Sequence, residues 1–238
     1  MTAANGEPWA SVPESERRFA VADVRSLCAE LPPPRVNRIH DVAEPRAAAT
    51  LVPIVDVDGE AAVVLTKRPA TMVHHRGDWV FPGGRVDHET DATSRDAARR
   101  EADEELGIPA DRVDIVGQLD THGPIVTGFA IDVFVGVIDG SVRLAPDPRE
   151  VSEVVTVPLS CFMRGTSFAI GRRAPEHDPG PSADGTESTR TGVDVAAGLA
   201  SFVLPNGDLL WGTQGEILLN LLDQLVTLRT RRTKGVQA

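Results

Sequence analysis

The distribution of apolar residues predicts that β-strands make up most of the middle of the chain. Residues 47–57 and 61–66 form two apolar, β-branched runs separated by Asp58-Gly59, a dipeptide typical of tight hairpin turns. Residues 113–119 and 125–137 predict two further strands. The second of these runs is apolar almost throughout, which is typical of a strand in the centre of a sheet.

The sequence predicts three helices, the first and third of them from apolar residues at helical spacing. The first covers residues 15–31 and ends where Pro32 begins a run of prolines. The second covers residues 93–106 and ends at Gly107, because glycine is common just after a helix C-terminus. The third covers residues 214–228 and carries an apolar face. Strands outnumber helices and are mixed with them, so the fold class is α/β or α+β.

The length of 238 residues predicts one domain with appendages rather than two independent domains. We assign residues 1–45 to an N-terminal extension with one helix, and residues 46–230 to the main domain. Within that domain, residues 171–200 include a stretch rich in Pro, Gly, Ser and Asp, which predicts an inserted mobile loop. Residues 231–238 predict a disordered tail.

The charge balance limits the classes of partner. Lys and Arg total 24 and Asp and Glu total 35, giving a net charge of −11, whereas a general nucleic-acid binder carries a basic excess. The beginning of the sequence lacks the features of a secretory signal, and no apolar run reaches the roughly 20 residues that cross a bilayer. We therefore expect a cytoplasmic protein that binds neither nucleic acid nor membrane.

An acidic face on the second predicted helix is the clearest candidate for chemistry. Glu101, Glu104 and Glu105 have the spacing i, i+3, i+4, which places three carboxylates on one face. Each pair of like charges at this spacing costs a few tenths of a kcal/mol. A divalent cation removes that cost, because hard cations prefer carboxylate oxygens. The alternative is a solvated helix face that binds nothing.

The residues around this face resemble the Nudix hydrolase box. Gly83, Glu89 and the run Arg-Glu-Ala-Asp-Glu-Glu-Leu-Gly-Ile at 100–108 follow the box pattern, although three extra residues separate Glu89 from Arg100. The resemblance implies a Nudix-type α/β/α sandwich with a mixed β-sheet. It also implies hydrolysis of a small nucleotide diphosphate derivative with Mg²⁺ or Mn²⁺ as the cofactor. The oligomeric state stays open, with a homodimer as the alternative to a monomer, because many relatives dimerise.

The same resemblance assigns roles to individual side chains. The metal ligands would be the carboxylates of the acidic face, namely Glu101, Glu104 and Glu105. Arg100 would pair with a carboxylate and fix its position, and its alternative is an ordinary surface arginine. Glu150 is the preferred general base or extra ligand, with Glu153 as the other choice and a solvated loop acid as the alternative for each. The catalytic set is therefore Glu104, Glu105, Arg100 and Glu150.

A longer element before the box resembles coenzyme A pyrophosphatases of the Nudix family. It comprises Leu65-Thr66-Lys67-Arg68-Pro69, Gly77 and Phe81-Pro82-Gly83-Gly84, while Pro69 and Val73 depart from that subgroup's pattern. The substrate-binding residues implied are Arg68, Gly83, Gly84 and His75. Arg68 is a candidate phosphate contact, because arginine binds phosphate through two hydrogen bonds, and a structural salt bridge is the alternative.

This resemblance implies cleavage of coenzyme A or acyl-CoA to 3′,5′-ADP and 4′-phosphopantetheine or its acyl form. The alternatives are a Nudix diphosphatase for ADP-ribose, NADH or a damaged nucleotide, and a Nudix sensor that binds a nucleotide without hydrolysing it. The three glutamates argue against the sensor, because a binding protein does not need to tolerate their mutual repulsion.

Overall fold

The computed structural model describes residues 7–37, 44–72, 76–123, 128–165, 167–171 and 199–235. The strands of its main sheet are β1 (Val36–Asn37), β2 (Arg46–Val57), β3 (Glu60–Lys67), β4 (Trp79–Val80), β5 (Gly83–Arg85), β6 (Val113–Gln118), β7 (Thr121–His122), β8 (Phe129–Ile138) and β9 (Glu153–Pro158). A three-stranded sheet contains β10 (Phe168–Gly171), β11 (Leu199–Val203) and β12 (Leu209–Trp211). The helices are α1 (Val21–Cys28), α2 (Ser94–Leu106), α3 (Leu159–Phe162) and α4 (Gly212–Gly235).

The main sheet is mixed. Its strand order is β1-β7-β8-β2-β3-β4, with β5 paired to β2, β6 to β8 and β9 to β3. β2 and β8 run parallel over nine residue pairs at the centre, whereas β2 and β3 form an antiparallel hairpin. The predicted hairpin is confirmed, because Asp58 and Gly59 both have positive φ, as this type of tight turn requires. The predicted central strand is confirmed over β8.

Helices cover both faces of the sheet, because side chains along each strand point alternately to opposite sides. On one face, α2 buries Ala98, Ala102 and Leu106 against Leu51 of β2 and Phe134 of β8. On the other face, a larger core joins α1, α4 and the three-stranded sheet to the main sheet. This arrangement is the α/β/α sandwich with a mixed sheet that the sequence predicts.

The ends of α2 follow from its sequence. The Thr93 side chain accepts a hydrogen bond from the backbone N–H of Asp96 and so caps the first turn. Gly107 ends the helix with φ of 65°, a conformation that glycine adopts without strain. The predicted helix over 93–106 is therefore confirmed.

Other predicted helix boundaries are wrong. α1 spans Val21–Cys28 rather than residues 15–31, and residues 14–16 form a separate 3-10 turn after Pro13. α4 continues to Gly235, so the predicted helix end at residue 228 is wrong, and residues 231–235 of the predicted disordered tail are helical. The extra turns are held by arginine contacts to α1 and to the segments on either side of it.

Most of the predicted mobile loop, residues 172–198, lies outside the described residues. Its first position closes β10, and its last two begin β11. No helix in the described part of the chain is long and apolar enough to cross a membrane.

Candidate active site

A glycine turn brings β5 alongside the first part of β2. Gly83–Arg85 pair with Ala48–Thr50 of β2, and the Pro82 carbonyl accepts a hydrogen bond from Leu51 N at 3.0 Å. A Cβ on Gly83 would lie 2.5 Å from the backbone oxygen of Ala49, which no real Cβ tolerates. Only glycine therefore allows this close approach of the two strands.

The second glycine of the turn meets the acidic helix. A Cβ on Gly84 would overlap the carboxylate of Glu101, so this carboxylate lies directly against the Gly84 backbone. Burial raises the pKa of Glu101, and the neighbouring Arg100 charge opposes that rise. The turn and α2 therefore form one surface that shields Glu101 from water.

Glu105 lies deeper beneath the same turn. It is 3% exposed, and burial raises the pKa of Glu105 to about 8. Among the described residues, its oxygens accept two long hydrogen bonds, from Gly83 N at 3.5 Å and from Thr66 Oγ1 at 3.4 Å. The positive charge of Arg68 lowers the pKa of Glu105, whereas the charges of Glu101 and Glu150 raise it further. Little in this environment compensates an ionised carboxylate.

Arg100 organises the carboxylates around it. Its guanidinium donates to both oxygens of Asp91 at 3.0 Å, to Glu101 at 2.9 Å and to Glu104 at 2.8 Å. It also donates to the Arg85 carbonyl at 3.0 Å, which ties α2 to β5. The hydrogen bond from Arg100 holds the pKa of Asp91 below its usual range.

Asp91 is a site residue that the sequence analysis missed. Its side chain is 3% exposed, whereas Glu89, the residue that matches the box by spacing, is exposed. Asp91 lies in the stretch where three extra residues separate Glu89 from Arg100. That insertion was the available signal, because it moves a different acid into reach of Arg100.

The structure brings most of the predicted residues together. Gly83, Gly84, Glu101 and Glu105 are in contact, and Arg100 joins them through Glu101. Glu104 faces outward, with 53% of its side chain exposed and Arg100 as its partner. His75 lies outside the described residues.

Two predicted residues come from outside α2 and β5. Glu150 is exposed on a turn that follows Asp147, whose backbone N–H donates to the Glu105 carbonyl at 3.1 Å. The negative charge of Glu150 raises the pKa of both Glu101 and Glu105. The Arg68 charge also acts on Glu105, and its buried Nε has no hydrogen-bond partner among the described residues.

The donor chemistry of this site fits a divalent cation. Its oxygens are carboxylate and backbone oxygens, which Mg²⁺ and Mn²⁺ prefer, and a cation there would favour the ionised form of Glu105 that burial disfavours. In the described part of the chain, however, no three His, Cys, Asp or Glu side chains converge closely enough to hold a metal. Arg100 donates hydrogen bonds to the carboxylates of Glu101 and Glu104. The predicted set of three glutamate ligands therefore stays a prediction.

Comparisons with known proteins agree with these motifs. The model of the NUDIX domain matches residues 44–173, more than half of the chain. An uncharacterized Nudix hydrolase NudL from Enterobacter sp. (strain 638) is 39% identical over 147 residues, which cover 60% of this chain and 74% of the relative. The corresponding protein of Cronobacter sakazakii is 43% identical over 119 residues, covering 50% and 60%.

Solved structures were also similar over about half of the chain. A Nudix hydrolase from M. smegmatis, RenU, has 26% identity and a TM-score of 0.37, covering 48% of this chain and 70% of that one. The NUDIX domain of Shewanella oneidensis NrtR complexed with ADP ribose has 16% identity and a TM-score of 0.40, covering 51% and 80%. On the strength of the matched domain and the NudL relatives, this chain belongs to the Nudix family and is a hydrolase acting on pyrophosphate bonds.

Proposed function

We propose that this Nudix hydrolase cleaves the diphosphate of coenzyme A or acyl-CoA in a metal-dependent reaction. The products are 3′,5′-ADP and 4′-phosphopantetheine or its acyl form. The observation that carries the proposal is the position of Arg68. This residue belongs to the element that resembles coenzyme A pyrophosphatases, its charge acts on Glu105, and its buried Nε has no partner among the described residues. An arginine beside the acidic helix suits a phosphate of the substrate.

The reaction must overcome repulsion between an anionic diphosphate and the site's own carboxylates. Mg²⁺ or Mn²⁺, held by Glu101, Glu104 and Glu105, would neutralise phosphate oxygens and lower the pKa of a bound water. The protein's own contribution is to hold the carboxylates and the backbone of the site in position. Arg100 holds Glu101 and Glu104 through hydrogen bonds, and the glycine turn lets the backbone approach the site closely.

Glu150 is the proposed general base. It lies on an exposed turn connected to Glu105 through Asp147, and its charge acts on the buried glutamates. A carboxylate there can accept a proton from the attacking water, which makes that water a better nucleophile. Glu153 is the weaker choice, because its carboxylate pairs with Lys67 at 3.1 Å.

A second substrate class deserves a direct test because of Pro69 and Val73, the two departures from the coenzyme A element. Pro69 is buried immediately after Arg68 and so affects how that arginine is presented. ADP-ribose, NADH and damaged nucleotides are therefore the alternative substrates, and nucleotide binding without hydrolysis is the alternative activity.

The test is hydrolysis of coenzyme A, ADP-ribose, NADH and a nucleoside triphosphate with Mg²⁺ and then Mn²⁺, with products identified by mass spectrometry. Glu104→Gln should abolish cleavage of coenzyme A, while Asp103→Asn, its exposed neighbour outside the acidic face, should retain it. Cleavage of ADP-ribose or NADH but not coenzyme A would contradict the proposed substrate. Tight nucleotide binding without turnover would favour the sensor.

The role of Arg68 can be tested separately. Arg68→Gln removes the positive charge and should raise KM for coenzyme A, whereas Arg68→Lys keeps the charge and should raise it less. An unchanged KM in both variants would show that Arg68 does not bind the substrate.

A further inference from the structure

The C-terminal part of the chain holds the glycine turn of the active site from the opposite side to α2. Gln214, in the first turn of α4, accepts a hydrogen bond from the backbone N–H of Phe81 through its Oε1 at 3.0 Å. Phe81 is 2% exposed and directly precedes Pro82, Gly83 and Gly84. Gln214 lies outside residues 44–173, which match the Nudix domain.

The position of Gln214 is itself fixed. The next residue, Gly215, lies so close to the Ala200 carbonyl of β11 that any Cβ would overlap it. Glu216 then accepts a hydrogen bond from Ala200 N at 2.6 Å. The beginning of α4 is therefore tied to β11. This fixes the backbone from which the Gln214 side chain reaches Phe81.

A second connection links the same region to β4. Asp208, in the turn between β11 and β12, accepts hydrogen bonds from Trp79 Nε1 at 2.8 Å and from Lys67 Nζ at 3.0 Å. This connection does not involve Gln214, so changing Gln214 leaves the C-terminal region attached to the sheet. The effect of such a change is then confined to the turn that begins at Phe81.

We propose that Gln214 is a positioning residue for the hydrolytic reaction. Its hydrogen bond to Phe81 N fixes the position of the Phe81–Gly84 turn relative to α2. From that turn, Gly83 N donates to Glu105, and the Gly84 backbone lies against Glu101. Without an acceptor at residue 214, the buried Phe81 N–H loses its partner and the turn shifts toward water. Small shifts at a catalytic centre can cost up to about a hundredfold in rate. The inference rests on the proposed site, because it assumes that Glu101 and Glu105 act in the reaction.

Three variants separate this role from a general packing role. Gln214→Met keeps the length of the side chain but removes the acceptor, and Gln214→Glu keeps an acceptor oxygen. Gln224→Met makes the same change farther along α4 and serves as the control. Hydrogen–deuterium exchange over residues 81–85 reports the turn, while kcat, KM and the metal concentration for half-maximal activity report the site.

We expect Gln214→Met to exchange faster over residues 81–85, to lose roughly 10- to 100-fold in kcat and to need more metal, with KM little changed. Gln214→Glu should keep most of the wild-type kcat, because an acceptor oxygen remains at residue 214. Gln224→Met should resemble the wild-type protein. Unchanged exchange in Gln214→Met, an equal loss in Gln214→Glu or an equal loss in Gln224→Met would each overturn the proposal.

The exchange measurement also separates this inference from the proposed function. If the wild-type protein hydrolyses none of the substrates, the proposed function fails, and the exchange data then decide whether Gln214 holds the turn. Faster exchange in Gln214→Met alone would support the hydrogen bond's role in positioning, and unchanged exchange would overturn it.

Discussion

At the scale of single residues, Arg100 pairs with two largely buried carboxylates, those of Asp91 and Glu101, and with one exposed carboxylate, that of Glu104. Asp91 offers it both oxygens and is almost completely buried, whereas Glu104 is half exposed. Two parallel hydrogen bonds to a buried carboxylate fix a guanidinium far better than one bond to an exposed carboxylate. We therefore infer that Asp91 sets the orientation of Arg100.

Asp91→Asn should reduce hydrolysis by at least tenfold, because a neutral amide no longer holds Arg100 in place. It should also lower the free energy of unfolding by about 1–3 kcal/mol, the typical cost of weakening a hydrogen bond to a charged group. The pKa of Asp91 is lowered in the folded state, so this stabilisation is present above the unfolded pKa near 4 and is lost as pH falls through the native pKa.

Glu89→Gln is the matched control, because Glu89 is the exposed acid that follows the box spacing. Kinetics and urea unfolding of both variants would check the prediction. A larger loss in Glu89→Gln than in Asp91→Asn would contradict it and restore Glu89 as the partner of Arg100.

The two glycines of the turn should respond differently to the same substitution. In Gly83→Ala the new methyl group meets the backbone oxygen of Ala49, which cannot move, so the unfolding free energy should fall by about 1–3 kcal/mol. In Gly84→Ala it meets the end of the Glu101 side chain, which can rotate away. That variant should therefore lose activity with a smaller loss of stability. Equal stability losses in the two variants would contradict this distinction.

Part of the site could be predicted from the sequence because helical spacing is short-range. The positions of Glu101 and Glu105 on one face follow from the geometry of any helix. The insertion before Arg100 marks the stretch that holds Asp91, but which acid reaches Arg100 depends on how that irregular loop folds back. Gln214 was missed for a related reason, since 133 residues separate it from Phe81.

At the scale of elements, the C-terminal turns of α4 are held by contacts to the N-terminal segment. Arg229 donates to the carbonyls of Glu16 at 2.8 Å and Arg18 at 2.7 Å, and to Asp23 at 3.0 Å. Its guanidinium also lies 3.6 Å from the centre of the Phe19 ring, a favourable cation–π distance. Arg229 therefore connects α4 to the segment before α1 and to α1 itself.

Arg229→Met should lower the unfolding free energy by about 1–3 kcal/mol, because two backbone carbonyls and a carboxylate lose their donor. Arg231→Met, which changes an exposed arginine on the same helix, should stay within about 0.5 kcal/mol of the wild-type protein. Urea unfolding would measure both variants. Equal effects would mean that the helix end depends on its general charge rather than on the Arg229 contacts.

Local signals account for which elements could be predicted. The β2–β3 hairpin and α2 carry their own boundaries, in Asp58-Gly59 and in Thr93 and Gly107. The predicted end of α4 falls too early because residues 229–235 lack the apolar periodicity of the preceding turns, and these residues are tied to the N-terminal segment through Arg229 and its distant partners. Periodicity therefore predicts where an element exists, and long-range contacts decide how far it extends.

At the scale of the whole molecule, the N-terminal extension belongs to the larger core. Trp9 is fully buried, with its ring 5.1 Å from that of Phe168 and 6.3 Å from that of Phe202. Phe19 and Leu27 join the same core as Leu221 of α4 and Val52 of β2. Residues before and after the matched Nudix domain therefore cover one face of its sheet.

This shared core predicts that the extension and the Nudix domain unfold together. Trp9→Ala should lower the unfolding free energy by about 3–5 kcal/mol, because it removes a large side chain from a fully buried site. Trp211→Ala is the matched control: Trp211 is 39% exposed and should cost clearly less. Since a whole domain is stable by only about 5–15 kcal/mol, a chain beginning at residue 32 should lose its cooperative thermal transition. Near-ultraviolet circular dichroism would follow that transition, and an unchanged midpoint in the shortened chain would show that the extension is an independent appendage.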